Sequence, residues 1–533
     1  METTESPVKR RAEGRGQWKR PIEFILSLVG FCVGMSGVWR FPYLAMRNGG
    51  GAFLIPYAVF AVVVGIPLVF METALGQYFQ LSPLLVFNMC PLFKGLGIAT
   101  TLVSYLGFVY YMVILAWTLY FLAMCFTPVL PWTTCDQSWN TNSCVPLFRE
   151  SSDNLENMSV IRQFPANVTG TMATEEFWTN NVLQISSGIE EPGRIPLHLF
   201  LALMAAYALV YVCIFKGIES SRIAVYITVS APCLLLLLLL GWLLSRPGST
   251  DGLMFYITPR WERVAHFQPW LEAFLHVFYS MGPGYGGLIN LSSFNPFHHN
   301  CLRDSVIVVI ADITTAIFCG AVVFAGVGCI AHQAGLPVSD VITAGPGLSF
   351  ITYPHVVASL PVPQLWAVFF FLLILTLGLD SQFAMLKTVT SGLIDLHPRM
   401  LRRRQPLLVF GVLTVSMVLS LPFITQGGMY VFQIVDWYLS IFTILTAAFC
   451  ECIIVGWLYG GERFLGNIRE MGNFCPNWCL QFMKICWQFI VPVCMLRFKS
   501  TTRPQIEVKG VMKGIEMEEV DGLSKNDEGE VML

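Results

Sequence analysis

The sequence predicts an all-α membrane protein of about eleven spans, the first ten arranged as two inverted five-helix repeats, on three observations. Of the 533 residues, 55% are hydrophobic and only 12% are charged, against about 25% charged in an ordinary soluble domain. The mean hydropathy is +0.62, and the apolar residues come in repeated runs of about 20, the length at which a helix crosses a bilayer with its backbone satisfied internally. The third observation is a symmetry. The first and sixth runs each carry a glycine-rich interruption near mid-span, and halves of five spans, five being odd, cross the membrane in opposite senses.

The elements follow in order. Residues 1–21 form a basic head with Lys9, Arg10, Arg11, Arg15, Lys19 and Arg20. The head lacks the pattern of a cleavable leader and is expected in the cytosol. Spans are expected at about 22–46, 52–78, 95–125, 196–216, 222–245, 269–292, 304–331, 364–395, 406–424 and 428–458. A shortened eleventh is expected near 480–496, because the run Trp487–Leu496 reaches only about 15 Å as helix and Lys484 interrupts anything longer. The membrane domain is thus read as 22–496 and the polar residues 497–533 as a disordered tail. With the N-terminus inside, Arg399, Arg402, Arg403 and Arg404 face the cytosol. The long loop at about 126–195 then lies outside, where Asn157 and Asn167 head glycosylation sequons and Cys135 and Cys144 are close enough to bridge.

Two features carry chemistry. Glycine and proline in Gly30–Gly37 and Gly282–Gly287 loosen helices and free backbone groups that lipid cannot satisfy. Matched interruptions of this kind mark a central site, although a glycine run alone also serves close helix packing. Asp380 and Asp312 lie deep in the eighth and seventh runs. An aspartate at mid-bilayer costs about 2.5–3.5 kcal/mol, and neither neighbourhood offers an evident Lys or Arg. A bound cation would offset that cost; a proton would do so by neutralising the carboxyl. Cys475 and Cys479 lack a matching Cys/His pair, and there is no Ser/His dyad or HExxH, so no enzyme is expected.

Trp39-Arg40-Phe41-Pro42-Tyr43 with Asn48–Phe53, Gly76-Gln77, Ser280 to Gly286 and Leu377–Phe383 resemble the signatures of the neurotransmitter:sodium symporters, amino-acid and GABA branch. The resemblance spans about residues 15–496. Such carriers are among those from which the broken-helix rule is drawn, so the two indications are not independent. What the resemblance implies is a sodium-coupled symporter of a small amino-acid or GABA-like solute, working by alternating access in the plasma membrane. One Na+ would take the carbonyls of Gly30, Val33 and Leu377 with the side chains of Asp380 and Ser381, a set this sequence keeps. A second would take Cys32, Ser280 and Asp312, where the family usually has asparagine at the positions of Gly37 and Asp312. Solute would meet Gly34, Met35, Ser36, Tyr111, Tyr279, Ser280 and Tyr285. Glycine rather than aspartate at 34 argues against a monoamine, and Gly107 hints at a roomier pocket. Arg40 and Asp436 match the outer gate; Arg15, Trp18 and Asp395 match the inner latch. Arg40 could also only snorkel, and Asp395 could only sit at a helix end.

The family's chloride site is altered. Tyr57 and Ser280 match, but His276 replaces glutamine and Ala316 replaces serine. Cl− is therefore in doubt, and transport is expected to depend on it weakly or not at all, Asp312 offsetting sodium charge instead. The family has twelve spans against about eleven here. The alternative reading is thus a transport-impaired accessory or trafficking subunit, or a truncated splice variant. Expected partners are a small-molecule solute and the lipid bilayer, with no nucleic acid; homo-oligomer formation is open.

Overall fold

A polar backbone in hydrocarbon must close its own hydrogen bonds, and long apolar runs of leucine, valine and phenylalanine do so as helices. The computed structural model describes residues 16–147, 170–215, 218–335, 337–338, 348–472 and 475–501. Arg15, the sequons at Asn157 and Asn167, and the tail beyond Thr501 lie outside the described residues.

The first span is broken into α1, Pro21–Cys32, and α2, Ser36–Arg47, at a 53° bend. Then follow α3, Gly51–Phe79, and α4, Pro91–Met124. Next come α5, Leu197–Ile214, and α6, Ile218–Leu243. A short α7, Ser249–Ile257, leads to the sixth span, split into α8, Phe267–Met281, and α9, Gly287–Ser292. The chain continues through α10, Cys301–Ala334, α11, Pro363–Leu396, and α12, Pro398–Ile424. The tenth span joins α13, Gly428–Trp437, to α14, Ile444–Leu458, through a widened turn at Tyr438–Thr443.

Among the described residues, eight helices are individually long and apolar enough to cross a membrane. Counting each bent pair as one span brings the candidates to ten at most, and the sixth run is split between α8 and α9. After α14 the chain turns by 91° into α15, Gly461–Met471. With Glu462, Arg463, Arg469 and Glu470 in so short a length, α15 is a surface helix rather than a continuation of its span.

The final span corrects the sequence expectation. It is not truncated: α16, Asn477–Arg497, has 21 residues, about 31 Å of helix against a core of about 30 Å. Lys484 does not interrupt it, because its ammonium reaches Glu462 of α15 at 2.6 Å. Trp487 pins the helix to α3 by donating its indole N–H to the Pro67 carbonyl at 2.8 Å. Helix extends through Thr501, past the expected start of the tail at 497.

Packing separates scaffold from periphery. The most apolar stretch of α11 is 78% buried and that of α4 72%, whereas α6 and α12 reach 28%, so α4 and α11 form the interior wall and the latter two face lipid. The two halves of the first span share α10 but differ otherwise: α1 also lies against α6 and α11, and α2 against α8. Outside the bundle, Cys135 and Cys144 form the expected disulfide, with Cα atoms 5.9 Å apart. Cys144-Val145 pairs in parallel with Thr171-Met172.

Candidate transport site

Each break has a local cause and a defined set of replacement partners. At the end of α1, Val33 adopts φ −80°, ψ 79°, and the Gly34 N–H closes on the Cys32 carbonyl at 2.9 Å, the geometry of an inverse γ-turn. At the end of α8, Gly282, Gly284 and Gly286 have φ of +61°, +82° and +75°, conformations that side-chain-bearing residues resist; Pro283 supplies no N–H. Side chains from other spans satisfy the freed groups. Glu72 of α3 accepts the Gly284 N–H at 2.7 Å, Ser104 of α4 donates to the Tyr285 carbonyl, and Ser381 of α11 donates to the Phe31 carbonyl at 3.4 Å. The Cys32 thiol points at the Met281 carbonyl at 3.5 Å, so the two breaks meet.

The two acids flank that meeting point. Asp380 is 5% exposed and lies so close to Gly30 that a Cβ there would stand 2.8 Å from its Cβ, Cγ and Oδ2. Thr228 of α6 donates to Asp380 Oδ1 at 2.5 Å. Gly30, Asp380 and Ser381 are thus brought together, with Leu377 one turn earlier on α11 and Val33 at the break itself. Asp312 of α10, 2% exposed, accepts the hydroxyls of Ser280 at 2.6 Å and Tyr57 at 3.1 Å. Ser36 reaches Ser280 at 3.4 Å, and a Cβ on Gly37 would lie 3.7 Å from Ala316. His276 packs against Tyr57 and Phe41, ring centroids 5.4 Å away in each case; neither ring nitrogen has a partner among the described residues.

Between the acids lies the space expected for solute. A Cβ on Gly34 would sit 3.3 Å from Ser381 Oγ and 3.8 Å from Tyr111 Oη. The Tyr111 hydroxyl and the Ser381 hydroxyl thus both border the space left open at Gly34. Above it, the Arg40 guanidinium covers the Tyr279 ring at 4.5 Å, and the charge of Asp436 is felt at both Tyr279 and Tyr111. On the opposite side Trp18 is buried, its indole N–H on the Leu291 carbonyl at 3.0 Å and its own N–H on Phe294 at 3.1 Å. Asp395 Oδ2 accepts the Ser82 N–H at 2.9 Å.

Two expectations fail here. Gly107 does not enlarge the pocket, because the Tyr285 ring and the Met385 sulfur lie 3.2 and 3.4 Å from where its Cβ would be. Nor is Asp380 without a nearby base: Lys387, on the same helix, is close enough for the two charges to influence each other. Spacing carried that signal, since residues seven apart recur on one helix face. Thr228, Ser104 and Glu72 were also missed, as ordinary polar residues in apolar runs.

Paired discontinuous helices around a central site also characterise known carriers. The sodium:neurotransmitter symporter family model matches residues 15–510. This chain belongs to that family. Its relatives include the sodium- and chloride-dependent creatine transporter 1 of Homo sapiens, 42% identical over 491 residues, covering 90% of this chain and 76% of that one. The sodium- and chloride-dependent GABA transporter 2 of Rattus norvegicus is 40% identical over 505 residues, covering 92% and 81%. The crystal structure of MhsT in complex with L-phenylalanine matches with TM-score 0.70 at 21% identity, covering 92% of this chain and all of that one, which shows a shared fold. The protein is therefore a multi-pass, sodium-coupled symporter and not an enzyme.

Proposed function

We propose that this symporter carries a small solute bearing a carboxylate at one end and a cationic nitrogen at the other, in the manner of creatine, GABA or a small amino acid. It would sit in the plasma membrane with its N-terminus in the cytosol. The observation that carries the reading is Asp380, held against Gly30 at the break of the first span. In this reading Asp380 and Ser381, with the carbonyls of Gly30, Val33 and Leu377, hold one Na+, using the hard oxygen ligands that alkali and alkaline-earth cations prefer. Cys32, Ser280 and Asp312 form the second cation site. The solute carboxylate meets the N–H groups of Met35 and Ser36 at the start of α2, where the helix dipole favours an anion, with the Tyr111 hydroxyl beside it. Its cationic end faces the carbonyls around Tyr279 and Ser280, with Tyr285 closing the pocket. Arg40 and Asp436 gate the outer side, and Trp18 and Asp395, with Arg15, the inner one.

Chloride belongs to the proposed cycle. The chain's creatine- and GABA-transporting relatives are named sodium- and chloride-dependent, against the sequence expectation of weak or absent dependence. Asp312 already takes the hydroxyls of Tyr57 and Ser280 that would serve an anion, so the requirement is graded rather than absolute. The test is an uptake panel of labelled creatine, GABA, glycine, proline and larger neutral amino acids in expressing cells, with sodium exchanged for potassium and choline. Sodium-dependent uptake of creatine, GABA or a small amino acid, abolished by Asp380→Ala at unchanged surface expression, is the expected result. Uptake that ignores sodium, or that survives Asp380→Ala, sinks the reading.

A further inference from the structure

Among the described residues, Lys387 is the one buried ammonium whose place the transport cycle does not use. It is 4% exposed on α11, in a span where an unpaired cation is costly. Among the described residues no hydrogen bond or ion pair within 4 Å engages its ammonium. Its Nζ instead lies over the Trp18 ring, 5.4 Å from the centroid, a cation–π distance. Trp18 is itself fixed by the Leu291 and Phe294 carbonyls. Seven residues separate Lys387 from Asp380, about 10 Å along the helix and within about 20° of the same face. Eight more lead to Asp395 at the cytosolic end. Lys387 therefore stands between the Asp380 pocket and the cytosol, beside the residue that closes that side.

A fixed positive charge in this position repels a sodium ion held at Asp380 and also supplies the carboxylate with a counter-charge once sodium has gone. Both effects favour the emptied site over the occupied one. We propose that Lys387 is a tethered cation in the cytosolic exit path of sodium, clasped by Trp18, whose charge loosens sodium at Asp380 and promotes its release. This rests on the assignment of Asp380 to sodium made above. In that account Lys387 is a positioning residue: it touches neither ion nor solute, and it acts through Asp380.

Direct binding of radiolabelled sodium to the purified full-length protein, read by scintillation proximity, needs no knowledge of the solute. Removing one unit charge about 10 Å away at an effective dielectric near 20 should tighten binding roughly tenfold. Lys387→Met is expected to show that shift with slower sodium dissociation, while Lys387→Arg, which keeps the charge, stays within about twofold of wild type. If the Met variant is not recovered folded, Lys387→Gln carries the same expectation. Neutral variants that bind sodium no more tightly, or Met and Arg variants that shift alike, overturn the proposal and leave the Asp380 assignment standing. Wild-type binding that Asp380→Asn leaves intact removes the assignment itself, and the proposal with it.

Discussion

Adding one carbon at Gly30 should disable sodium coupling while leaving the solute pocket open. In Gly30→Ala the new Cβ would lie 2.8 Å from three atoms of Asp380, closer than carbon atoms tolerate. Asp380 is not a flexible side-chain tip that can swing clear: Thr228 holds its Oδ1 at 2.5 Å, and its Cβ is fixed by α11. Either α1 and α11 separate or the carboxylate turns away from the carbonyl end of α1. Overpacking of this kind costs about 1–3 kcal/mol, and at 1.4 kcal/mol per tenfold the sodium concentration for half-maximal uptake should rise by roughly 5- to 150-fold. Gly34→Ala is the internal control. Its Cβ meets Ser381 Oγ at 3.3 Å and Tyr111 Oη at 3.8 Å, far looser than the 2.8 Å contacts at Gly30, so the crowding falls chiefly on solute beside Tyr111. It should raise the solute KM and leave the sodium requirement within about twofold, a change well below one overpacked contact. Sodium titrations of uptake, normalised to surface-biotinylated protein, separate the two. Equal sodium dependence in Gly30→Ala and wild type would refute the reasoning.

Other consequences can be checked in the same way. Asp312→Asn removes the carboxylate that now engages Tyr57 and Ser280, so replacing chloride by gluconate should depress uptake more in the variant than in wild type; an unchanged chloride response contradicts the role given to Asp312. In the outer loop, burial raises the Glu176 carboxyl, but donors from Thr141, Thr171 and Asn140 outweigh it and hold the group below its ordinary value of 4.5. A depressed folded-state pKa means stability that is full above that ordinary value and is lost as pH falls through the folded value. Protection factors of the amides in 135–147 and 170–183 should therefore fall on acidification below the ordinary value of 4.5, and Glu176→Gln should show low protection at neutral pH that acid does not change. Ser104→Ala removes the hydrogen bond that Ser104 gives the Tyr285 carbonyl, a loss of about 0.5–1.5 kcal/mol, and should lower the melting temperature and slow uptake without altering the sodium requirement.

Much of this was legible in the chain. Span positions follow from apolar run length because lipid leaves a helix no alternative. The breaks follow from Gly282, Pro283, Gly284 and Gly286, whose backbone needs are local. Asp380 and Asp312 stand out because charge in an apolar run is expensive. What failed was any inference that needed the neighbour across the gap. Gly107 gives no room because Tyr285 and Met385 fill it, a fact about other spans. The last span looked interrupted because Lys484 reads as a charge in lipid until Glu462 of α15 appears beside it. Lys387 lay in plain sight seven residues from Asp380, and helical periodicity alone would have placed it on that face.

The central claim is that the opposed breaks and Asp380 hold sodium and solute together. It is tested most directly by purified protein in proteoliposomes, with labelled sodium and the labelled solute identified in the uptake panel followed at once under an imposed sodium gradient. Solute accumulation against its own gradient, at a constant ratio to sodium entry and absent in Asp380→Asn, is the predicted result. Solute that merely equilibrates, or that accumulates equally in Asp380→Asn, would contradict it.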